Sequence, residues 1–373
     1  MSSPRLLVVA GEVSGDMHAG NLLRELAARV DGLSAFGIGG DRLVANGLEA
    51  LAGTDELAHM GLVEVFRELP RIRRIMDELV HAAAERRPAL AVLVDSPDFN
   101  LRLAKRIRKL GVPVVLYISP QLWAWRQGRV RTVRYLADEV LCILPFEVDF
   151  YRQHGVPARY VGHPLVDEIA RVGLLDSPAV VQPKRLAMLP GSRGMEVRQL
   201  LPVMMRALAM LPPEQVEEAV LIEAPGMELA IDQVLREAPG DQRLRRVGGE
   251  VRRKALAESA VAWTASGTAT LECALLDVPM VVGYRLKPLS FALAKMLVRV
   301  PNVALVNLIA GHTLVPELLQ KDWNPRKLSE VAGRMLANGG ASQRAGLQQV
   351  RERLGLPGAS RNAAAAVSEY FAS

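Results

Sequence analysis

The sequence predicts an α/β protein with two doubly wound parallel sheets, one in each half of the chain. Short continuous apolar runs, such as residues 6–10 and 89–94, are typical of strands that are buried on both faces of a parallel sheet. Segments long enough for crossover helices alternate with these runs roughly ten times, which is the pattern of consecutive strand–helix units. With 373 residues, 50% of them hydrophobic, the chain is long enough to bury two cores.

Composition and charge favour an anionic partner. The formal net charge is +6 and the isoelectric point is about 9.5, which suits phosphate groups, an anionic membrane surface or nucleic acid. Cys142 and Cys273 lie in apolar runs without the spacing of metal ligands, so we expect reduced, buried thiols. The first strand begins near the N-terminus, and no uncharged stretch reaches about 18 apolar residues. We therefore expect a cytoplasmic protein or one bound to the inner side of a membrane.

The first half begins with a strand that ends in Gly11-Glu-Val-Ser-Gly-Asp. A helix is predicted to follow over residues 17–30. Ser14, Gly15 and Asp16 thus lie at the carboxyl end of a strand, where doubly wound sheets bind ligands. We predict that these three residues contact a ligand, although the glycines also suit a tight turn alone.

A basic amphipathic helix is predicted over residues 61–79. Its apolar side chains recur at helical spacing, and arginines lie on or beside the same face. Such a helix either lies on a membrane and receives a lipid, or packs its apolar stripe on the sheet and leaves its arginines in water. Both interpretations stay open at this point. The residues assigned to the lipid surface are Leu62, Val63, Phe66, Leu69 and Arg73.

Two carboxylates follow the strand at 89–94, in the sequence Asp95-Ser-Pro-Asp98. A carboxylate at the carboxyl end of a strand in a doubly wound sheet lies in the ligand crevice, which is where a general base is expected. We assign the base to Asp95 and the N-cap of the next helix, which is predicted to run to residue 110, to Asp98. The opposite assignment stays open.

A loop with two tryptophans follows the next strand. Trp123, Trp125 and Arg126 lie close together in this loop. Aromatic and basic side chains together stack on nucleic-acid bases in some proteins, but no nucleic-acid-binding module surrounds them here. We therefore expect core packing or a platform for a sugar, and no nucleic-acid partner. Strands at 139–144 and 159–161 complete the first half.

The second half begins after a predicted linker at residues 173–184, where Ser-Pro and Gln-Pro break the pattern. A Pro-Gly-Ser-Arg-Gly turn then separates an apolar strand from a helix that begins near Met195. Amides in such a loop and in the first turn of a helix suit phosphate, and Arg193 adds a planar fork of donors. We predict that Gly191, Ser192 and Arg193 bind phosphate, although an ordinary turn with a solvated arginine fits the sequence equally well. Strands are predicted at residues 186–189, 218–222, 243–247, 261–264 and 280–283.

A second glycine loop has the same form. Ser266, Gly267 and Thr268 follow a strand and begin a helix, so their amides suit a second phosphate oxygen. Glu272 is expected in or near the first turn of that helix. There it either interacts favourably with the helix dipole or accepts both hydroxyls of a ribose, and the presence of two such loops favours ribose. Asn307, farther along the chain, is expected to face the same crevice.

Eight motifs occur in a fixed order along the chain. They are Gly11-Glu-Val-Ser-Gly-Asp, Met60-Gly-Leu-Val-Glu-Val, Asp95-Ser-Pro-Asp-Phe-Asn, Ser119-Pro-Gln-Leu-Trp-Ala-Trp-Arg, Leu144-Pro-Phe-Glu, Gly162-His-Pro, Leu189-Pro-Gly-Ser-Arg-Gly-Met-Glu-Val and Ser266-Gly-Thr-Ala-Thr-Leu-Glu-Cys. In this order they resemble the motifs of the lipid-A-disaccharide synthase family. The resemblance covers essentially the whole chain, and eight ordered motifs are far more specific than a single glycine loop.

The resemblance implies a GT-B fold, in which two Rossmann-like doubly wound domains face a cleft. It assigns residues 1–172 to an acceptor- and lipid-binding domain and residues 185–345 to a UDP-sugar-binding domain. Residues 346–373 become a helical tail that packs back on the first domain or is exchanged in a dimer. The family transfers the sugar of UDP-2,3-diacylglucosamine to the 6-hydroxyl of 2,3-diacylglucosamine 1-phosphate (lipid X), with inversion, which gives a β-1,6 disaccharide and UDP. It works on the inner face of the inner membrane of Gram-negative bacteria.

The resemblance also implies roles for single residues. Arg193, Glu272 and Asn307 occupy positions associated with UDP, Ser14 and Asp16 match the loop of the first domain, and Asp95 matches the proposed base. The motif often written Asp-Ala-Pro-Asp has serine in second place here, which keeps both carboxylates. No Asp-x-Asp motif stands in a metal-like context, so we expect no metal and no cofactor. The expected partners are the two acylated sugars, an anionic membrane surface and a second copy of the chain. The alternatives are a UDP-N-acetylglucosamine 2-epimerase and a non-catalytic nucleotide-binding scaffold.

Overall fold

The computed structural model describes residues 3–58, 65–177, 179–286 and 300–372 of the chain. The contacts divide the chain into two compact units. One unit comprises Met1–Pro164 together with Leu356–Ser373, and the other comprises Leu165–Gly355. The domain limits predicted at residues 172, 185 and 345 all lie inside the second unit.

The first unit is built on a parallel sheet. Its described strands are β1 (Arg5–Ala10), β2 (Ser34–Ile38), β3 (Leu48–Ala52), β4 (Leu90–Val94), β5 (Val114–Tyr117), β6 (Glu139–Cys142) and β7 (Ala158–Tyr160). Within the described residues these seven strands lie in the order β3-β2-β1-β4-β5-β6-β7, and each neighbouring pair is parallel. Strand β4 is buried along its whole length and β1 is buried except for Arg5, as their apolar runs predict. Strand β3 is not predicted by the sequence analysis, because this edge strand exposes its middle residues and has no continuous apolar run.

Helices cover both faces of this sheet. They are α1 (Val13–Ala27), α2 (Asp41–Ala45), α3 (Asp55–Ala58), α4 (Val65–Arg86), α5 (Pro97–Ile107), α6 (Val130–Leu136) and α7 (Pro145–Gln153), and α8 (Pro164–Arg171) leads into the second unit. Apolar side chains of α4 to α7 share a core with one face of the sheet, whereas those of α1 and α2 pack on the other face. The start predicted for α1 at residue 17 is wrong. The extended residue Glu12 is its N-cap, so residues 14–16 lie in its first turn.

The second unit is built on another parallel sheet. Its described strands are β8 (Gln182–Leu189), β9 (Glu218–Ile222), β10 (Leu244–Val247), β11 (Ser259–Ala265), β12 (Met280–Tyr284) and β13 (Glu317–Leu319). Among the residues that the structure describes, the order is β10-β9-β8-β11-β12-β13, and each pair is parallel. Strand β8 begins inside the stretch predicted as a linker, and the short edge strand β13 was not predicted. Two doubly wound α/β sheets therefore form the molecule, as the alternation of strands and helices predicts.

The helices of the second unit follow its strands in sequence. They are α9 (Gly194–Met210), α10 (Glu228–Glu237), α11 (Arg252–Ala257), α12 (Thr268–Leu275), α13 (Leu305–Ala310), α14 (Pro325–Ala337) and α15 (Ala341–Leu354). Side chains of α9, α10 and α14 share a core with the sheet, in which Trp263 and Trp323 are fully buried. Over the described parts of both units, no helix combines the length and the apolar character that a bilayer span requires.

The last helix, α16 (Ala359–Ser368), belongs to the first unit of its own chain. Its Ala363 and Val367 lie in the same core as the apolar side chains of α1. Asn362 Nδ2 donates a hydrogen bond to the carbonyl of Val161 at 3.1 Å, and Arg159 is paired with Glu369 at 2.6 Å. The small alanine side chains of α16 let it pack closely against α1.

Candidate active site

The carboxyl ends of three central strands of the first sheet come together around Asp95. Strand β1 is followed by Gly11, and a Cβ atom at that position would clash with the hydroxyl of Ser96. Gly15, one turn further on, faces Asp95, so a Cβ placed there would lie 3.8 Å from the Cβ of Asp95. The first strand–helix turn therefore packs directly on the turn that carries Asp95.

The turn after β4 has a strained backbone. Asp95 and Ser96 have φ angles of 52° and 40°, in the left-handed region that residues with a Cβ rarely adopt. Asn100 holds this turn, because its Nδ2 donates to the carbonyls of Val94 and Asp95 at 3.1 and 2.7 Å. Ile118, directly after β5, is also left-handed, with φ 61°. Conformations of this kind cost about 1–3 kcal/mol each and cluster at functional sites.

The position of Asp95 fits a general base. Its side chain is half-buried, and burial raises the pKa of its carboxyl group above the ordinary value, although a hydrogen bond from the backbone N–H of Ser96 partly opposes this effect. A carboxylate whose pKa is raised accepts a proton from a hydroxyl group more readily. The backbone N–H of Asp95 donates to the carbonyl of Tyr117 at 3.1 Å, which fixes the turn to the end of β5.

Asp98 has a different environment, and its predicted role as the N-cap is wrong. Helix α5 begins at Pro97, so the N-cap is Ser96 and Asp98 lies in the first turn. The side chain of Asp98 is 64% exposed and accepts a hydrogen bond from Arg129 at 2.6 Å, and Arg126 lies 3.9 Å away. A carboxylate that is already paired with a cation is a poor candidate for the base. Of the two carboxylates, Asp95 is therefore the better one.

Asp16, which was predicted to contact a ligand, hydrogen-bonds to the protein. It is 5% exposed and accepts hydrogen bonds from the backbone N–H groups of Gly40, Arg42 and Leu43 at 2.7, 3.0 and 3.1 Å. These groups lie at the start of α2, so the Asp16 carboxylate caps that helix from another element. The structure thus gives Asp16 the role of a cap, and its contact with a ligand stays a prediction. Ser14 is exposed in the first turn of α1.

The first glycine loop of the second unit joins β8 to α9. Gly191 has φ 120°, and a Cβ there would clash with the carboxylate of Glu196, so only glycine fits. The N–H of Ser192 donates to Glu196 at 3.1 Å and is therefore already satisfied. Arg193 is the extended N-cap of α9, and its side chain is 81% exposed at 4.0 Å from Glu196. The guanidinium of Arg193 is therefore available to an anion, whereas the Ser192 amide is already paired.

The second glycine loop joins β11 to α12. Gly267 is the N-cap of the helix, and Thr268 is its first residue. The hydroxyl of Ser266 donates to the carbonyl of Val303 at 3.0 Å, which ties the loop to the segment before α13. Glu272 is the fifth residue of this helix, directly after its first turn, as expected.

Glu272 and Asn307, which were predicted to contact UDP, hydrogen-bond to protein groups. Glu272 is buried and accepts a hydrogen bond from Arg253 at 2.8 Å, and Arg253 also pairs with Glu168. Asn307 is fully buried, donates to the carbonyl of Val315 and to Glu317, and accepts from the N–H groups of Leu314 and Val315. The amide of Asn307 thus positions neighbouring protein groups, and the contacts of both residues with UDP stay predictions.

Glu317 extends this arrangement toward the second glycine loop. Its carboxylate accepts from the backbone N–H groups of Val303 and Ala304 at 2.9 Å, and the Val303 carbonyl accepts from Ser266. Asn307 therefore holds Glu317, Glu317 holds the Val303 segment, and that segment holds the loop of Ser266 and Gly267.

The amphipathic helix of the sequence analysis corresponds to α4. Leu62 and Val63 lie outside the described residues, and only the helical backbone is described for Phe66 and Leu69. Arg73 is exposed. From Ile72 onward the apolar stripe is buried in the core of the first unit, with side chains Ile72, Ile75, Met76 and Leu79. For this part of the helix, packing on the sheet is confirmed.

A buried glutamate that the sequence analysis did not assign lies beside this site. Glu147, in the first turn of α7, is 1% exposed and accepts hydrogen bonds from the Ser119 hydroxyl and the Trp123 indole N–H at 2.9 and 3.0 Å. It also accepts from the N–H of Leu144 at 3.1 Å. Glu147 is the third residue of a helix that begins at Pro145, and its bond to the N–H of the N-cap Leu144 is half of a capping box; a proline followed two residues later by a glutamate is the sequence signal that could have found it. Trp123 is buried core, whereas Trp125 is 41% exposed with Arg126 stacked on its ring at 4.2 Å.

Comparison with known proteins places these features in a family. The sequence model of the family described as lipid-A-disaccharide synthetase matches residues 6–369. The lipid-A-disaccharide synthase of Myxococcus xanthus is 44% identical over 382 residues, which cover 99% of this chain and 98% of that protein. Among solved structures, the calicheamicin glycosyltransferase CalG4 has a TM-score of 0.60 at 15% identity and covers 100% of this chain and 98% of its own. A UDP-N-acetylglucosamine 2-epimerase has a TM-score of 0.62 at 12% identity and covers 100% and 97%. These two structures share the fold, and the predicted GT-B class is confirmed.

The cap formed by Asp16 gives a first testable prediction. Asp16→Ala removes the acceptor of three backbone N–H groups, so we expect the free energy of unfolding to fall by about 1–3 kcal/mol. The affinity for uridine diphosphate, measured by calorimetry, should not change. Asp41→Ala, at an exposed position in the first turn of the same helix α2, is the control and should change neither quantity. A loss of nucleotide affinity at unchanged stability would contradict the cap and support Asp16 as a ligand contact.

Proposed function

The chain belongs to the lipid-A-disaccharide synthetase family, and we propose accordingly that Asp95 is the general base of its glycosyl transfer. The protein is a lipid-A-disaccharide synthase, an inverting glycosyltransferase of lipid A biosynthesis. It joins the sugar of UDP-2,3-diacylglucosamine to 2,3-diacylglucosamine 1-phosphate and releases UDP. The observation that supports the proposed base is the half-buried carboxylate of Asp95 in a strained turn at the carboxyl end of β4.

The proposed step is a single displacement. The Asp95 carboxylate takes the proton of the acceptor 6-hydroxyl while the oxygen attacks the anomeric carbon of the donor. The bond from that carbon to the diphosphate breaks at the same time, and its electron pair leaves with UDP. One displacement inverts the configuration, so an α-linked donor gives the β-1,6 product. The raised pKa of Asp95 favours the proton transfer.

In our proposal the second unit stabilises the departing diphosphate. The exposed guanidinium of Arg193 supplies a fixed positive charge, and Ser266, Gly267 and Thr268 begin a helix whose first amides suit phosphate. In this scheme Glu272 supports the loop through its ion pair with Arg253. Asn307 supports it through Glu317, which binds the backbone of the Val303 segment. Arginine and oriented amides carry the developing negative charge in this scheme, so we propose that the step needs no divalent metal.

Two other functions are weaker candidates. An epimerase would share the fold, but its likeness extends to the fold alone, and the relatives with high identity over the whole chain are synthases. A non-catalytic scaffold would bind the nucleotide without needing a half-buried carboxylate in a strained turn. The variants of Asp95 described below separate a scaffold from an enzyme.

We also propose that the protein works at the cytoplasmic face of the inner membrane. Both substrates carry acyl chains, and the net charge of +6 favours an anionic surface. Since α4 buries its stripe from Ile72 onward, the lipid surface in this proposal is limited to the residues before it, Leu62 to Leu69, together with Arg73. The homodimer implied by the family resemblance stays a prediction, because α16 already packs on the first unit of its own chain.

The proposed base is tested with Asp95→Asn. We expect turnover to fall about 10²–10⁴-fold, because the amide cannot accept the proton. Affinity for UDP, measured by calorimetry, should stay within twofold of the wild-type value (about 0.4 kcal/mol).

The matched control is Asp98→Asn in the same motif. Asp98 is exposed and contributes a surface ion pair, so its loss should reduce turnover by less than about fivefold. Turnover retained by Asp95→Asn, with product confirmed by mass spectrometry, would contradict the assignment. Loss of activity in Asp98→Asn alone would transfer the role of the base to that residue.

The lipid surface is tested with the double variant Phe66→Ser and Leu69→Ser. We expect less of it to sediment with vesicles of anionic phospholipid, because apolar area and charge attraction add in membrane binding. Leu229→Ser, at an exposed apolar position of α10 in the second unit, is the control and should sediment like the wild type. Unchanged sedimentation of the double variant would count against a membrane role for this segment.

A further inference from the structure

We propose that Glu147 is a positioning residue of the acceptor site, whose carboxylate holds the loop of residues 118–126 beside Asp95. We call this loop the tryptophan loop. The inference rests on the proposed function, which places the acceptor hydroxyl at Asp95. It adds a residue that touches no substrate and acts through Ser119 and Trp123.

The tryptophan loop begins next to the proposed base. Strands β4 and β5 are neighbours, and the N–H of Asp95 donates to the carbonyl of Tyr117, the last residue of β5. Ile118 follows with its left-handed backbone and turns the chain away from the sheet. For a β-branched residue such a conformation is a real outlier, so contacts elsewhere must hold it. The position of the loop relative to Asp95 thus depends on how the loop is anchored.

Glu147, in the first turn of α7, provides that anchor. Its Oε1 accepts from the Ser119 hydroxyl and the Trp123 indole, and its Oε2 accepts from the N–H of Leu144. Three donors thus converge on one buried side chain. An ionised carboxylate suits all three, because both of its oxygens are acceptors and neither carries a proton.

Other contacts hold the tryptophan loop at Pro120 and Trp123 and leave Trp125 at the protein surface. The Tyr151 hydroxyl donates to the carbonyl of Pro120 at 2.9 Å, and Gln127 donates to the carbonyl of Trp123 at 3.1 Å. The Trp123 ring packs edge-on against Phe146, with the ring centroids 4.9 Å apart. Trp125 stays partly exposed, with Arg126 stacked on its ring. An aromatic ring and a cation side by side suit a sugar phosphate, which is the chemistry of the acceptor.

The charge state of Glu147 makes this anchor sensitive to pH. Burial raises its pKa to about 7, against the lowering effect of its hydrogen bonds. The titratable groups that interact with it are Cys142, Tyr151 and Tyr160, and burial raises the pKa of each, so all three are neutral near pH 7. Above pH 7 the ionised carboxylate accepts from every donor. Below pH 7 one oxygen carries a proton, and the neutral carboxyl group is a weaker acceptor for the same donors.

The same burial affects stability in a defined direction. The pKa of Glu147 is higher in the folded protein than the ordinary value of 4.5, so the folded state binds more protons between pH 4.5 and 7. The contribution of Glu147 to the free energy of unfolding therefore decreases as the pH rises through this window. A carboxylate that costs stability at neutral pH, yet organises a loop beside the base, fits a positioning role better than a purely structural one.

The variant Glu147→Gln distinguishes a positioning role of this residue from a purely structural one. Its oxygen can keep the backbone N–H group of Leu144, and its NH₂ group can donate to the Ser119 hydroxyl. The NH₂ group cannot accept from the Trp123 indole, which is then left buried without this acceptor. Glu147→Gln therefore weakens the anchor at Trp123 and removes the charge of residue 147 at every pH.

The experiment compares the two substrates in steady-state kinetics. For Glu147→Gln we expect the KM of the acceptor, 2,3-diacylglucosamine 1-phosphate, to rise about tenfold, while the KM of the UDP-sugar stays within twofold. The acid limb near pH 7 in kcat/KM for the acceptor should disappear as well. Glu139→Gln, on strand β6, loses an ion pair with Arg159 of the neighbouring strand β7; it is the matched control and should show neither effect.

A double-mutant cycle with Trp123→Phe tests the route of the effect. Trp123→Phe keeps an aromatic ring and removes the indole donor, so it should raise the acceptor KM by itself. Glu147→Gln added to it should cause less than a twofold further rise, because the two changes break the same hydrogen bond. If Glu147→Gln does not fold, Trp123→Phe and Ser119→Ala carry the same test with the same expected split of KM values.

Equal changes in both KM values, or a loss of kcat alone, would overturn the inference. Asp95→Asn separates this failure from failure of the proposed function. An inactive Asp95→Asn beside an unchanged acceptor KM in Glu147→Gln would reject the anchor only, whereas an active Asp95→Asn would reject the proposed base whatever Glu147 does.

Discussion

The left-handed turn at Asp95 and Ser96 is the constraint on which the candidate active site depends. Two consecutive residues with side chains adopt a backbone that each disfavours, at a cost of about 1–3 kcal/mol per residue. Asn100 binds the carbonyls on both sides of Asp95, and the missing side chain of Gly11 leaves room for Ser96. The result is a carboxylate that lies half-buried at the strand end instead of extending into water.

Several polar side chains near the glycine loops form hydrogen bonds with other protein groups. Asp16 caps α2, Glu272 binds Arg253, and Asn307 uses all of its hydrogen-bonding capacity on protein groups. These side chains set the shape of the loops, whereas Arg193 remains exposed. The arrangement is one in which supporting groups hold a small number of reacting groups in place before substrate arrives. Glu147 extends the same principle to the loop after β5.

The sequence predicts the fold well, because the fold depends on local patterns. Continuous apolar runs give the buried strands, and the end of a strand in a doubly wound sheet gives the place for Asp95 and Arg193. The edge strands β3 and β13 escape prediction, since they are short and partly exposed. Likewise, the N-cap of α5 is Ser96 because Pro97 can occupy the first helical position, which the residue types alone leave open.

The partners of polar side chains are what the sequence does not determine. Asp16 and Asn307 have the residue types and positions of ligand contacts, but their partners come from residues that only the fold brings near. The same holds for Glu147, whose burial results from packing of the tryptophan loop on α7. A glutamate two residues after Pro145 is visible in the sequence as an N-terminal helix residue, yet its second role requires the contact with Trp123.

The most direct measurement is a carbon NMR titration of the aspartate side-chain carboxyl groups, with Asp95 identified by the signal that Asp95→Asn removes. We expect the Asp95 carboxyl to titrate clearly above the ordinary value of 3.8, because the strained turn buries it. A midpoint at or below that value would show a solvated or strongly paired carboxylate, and it would contradict Asp95 as a base prepared by the fold.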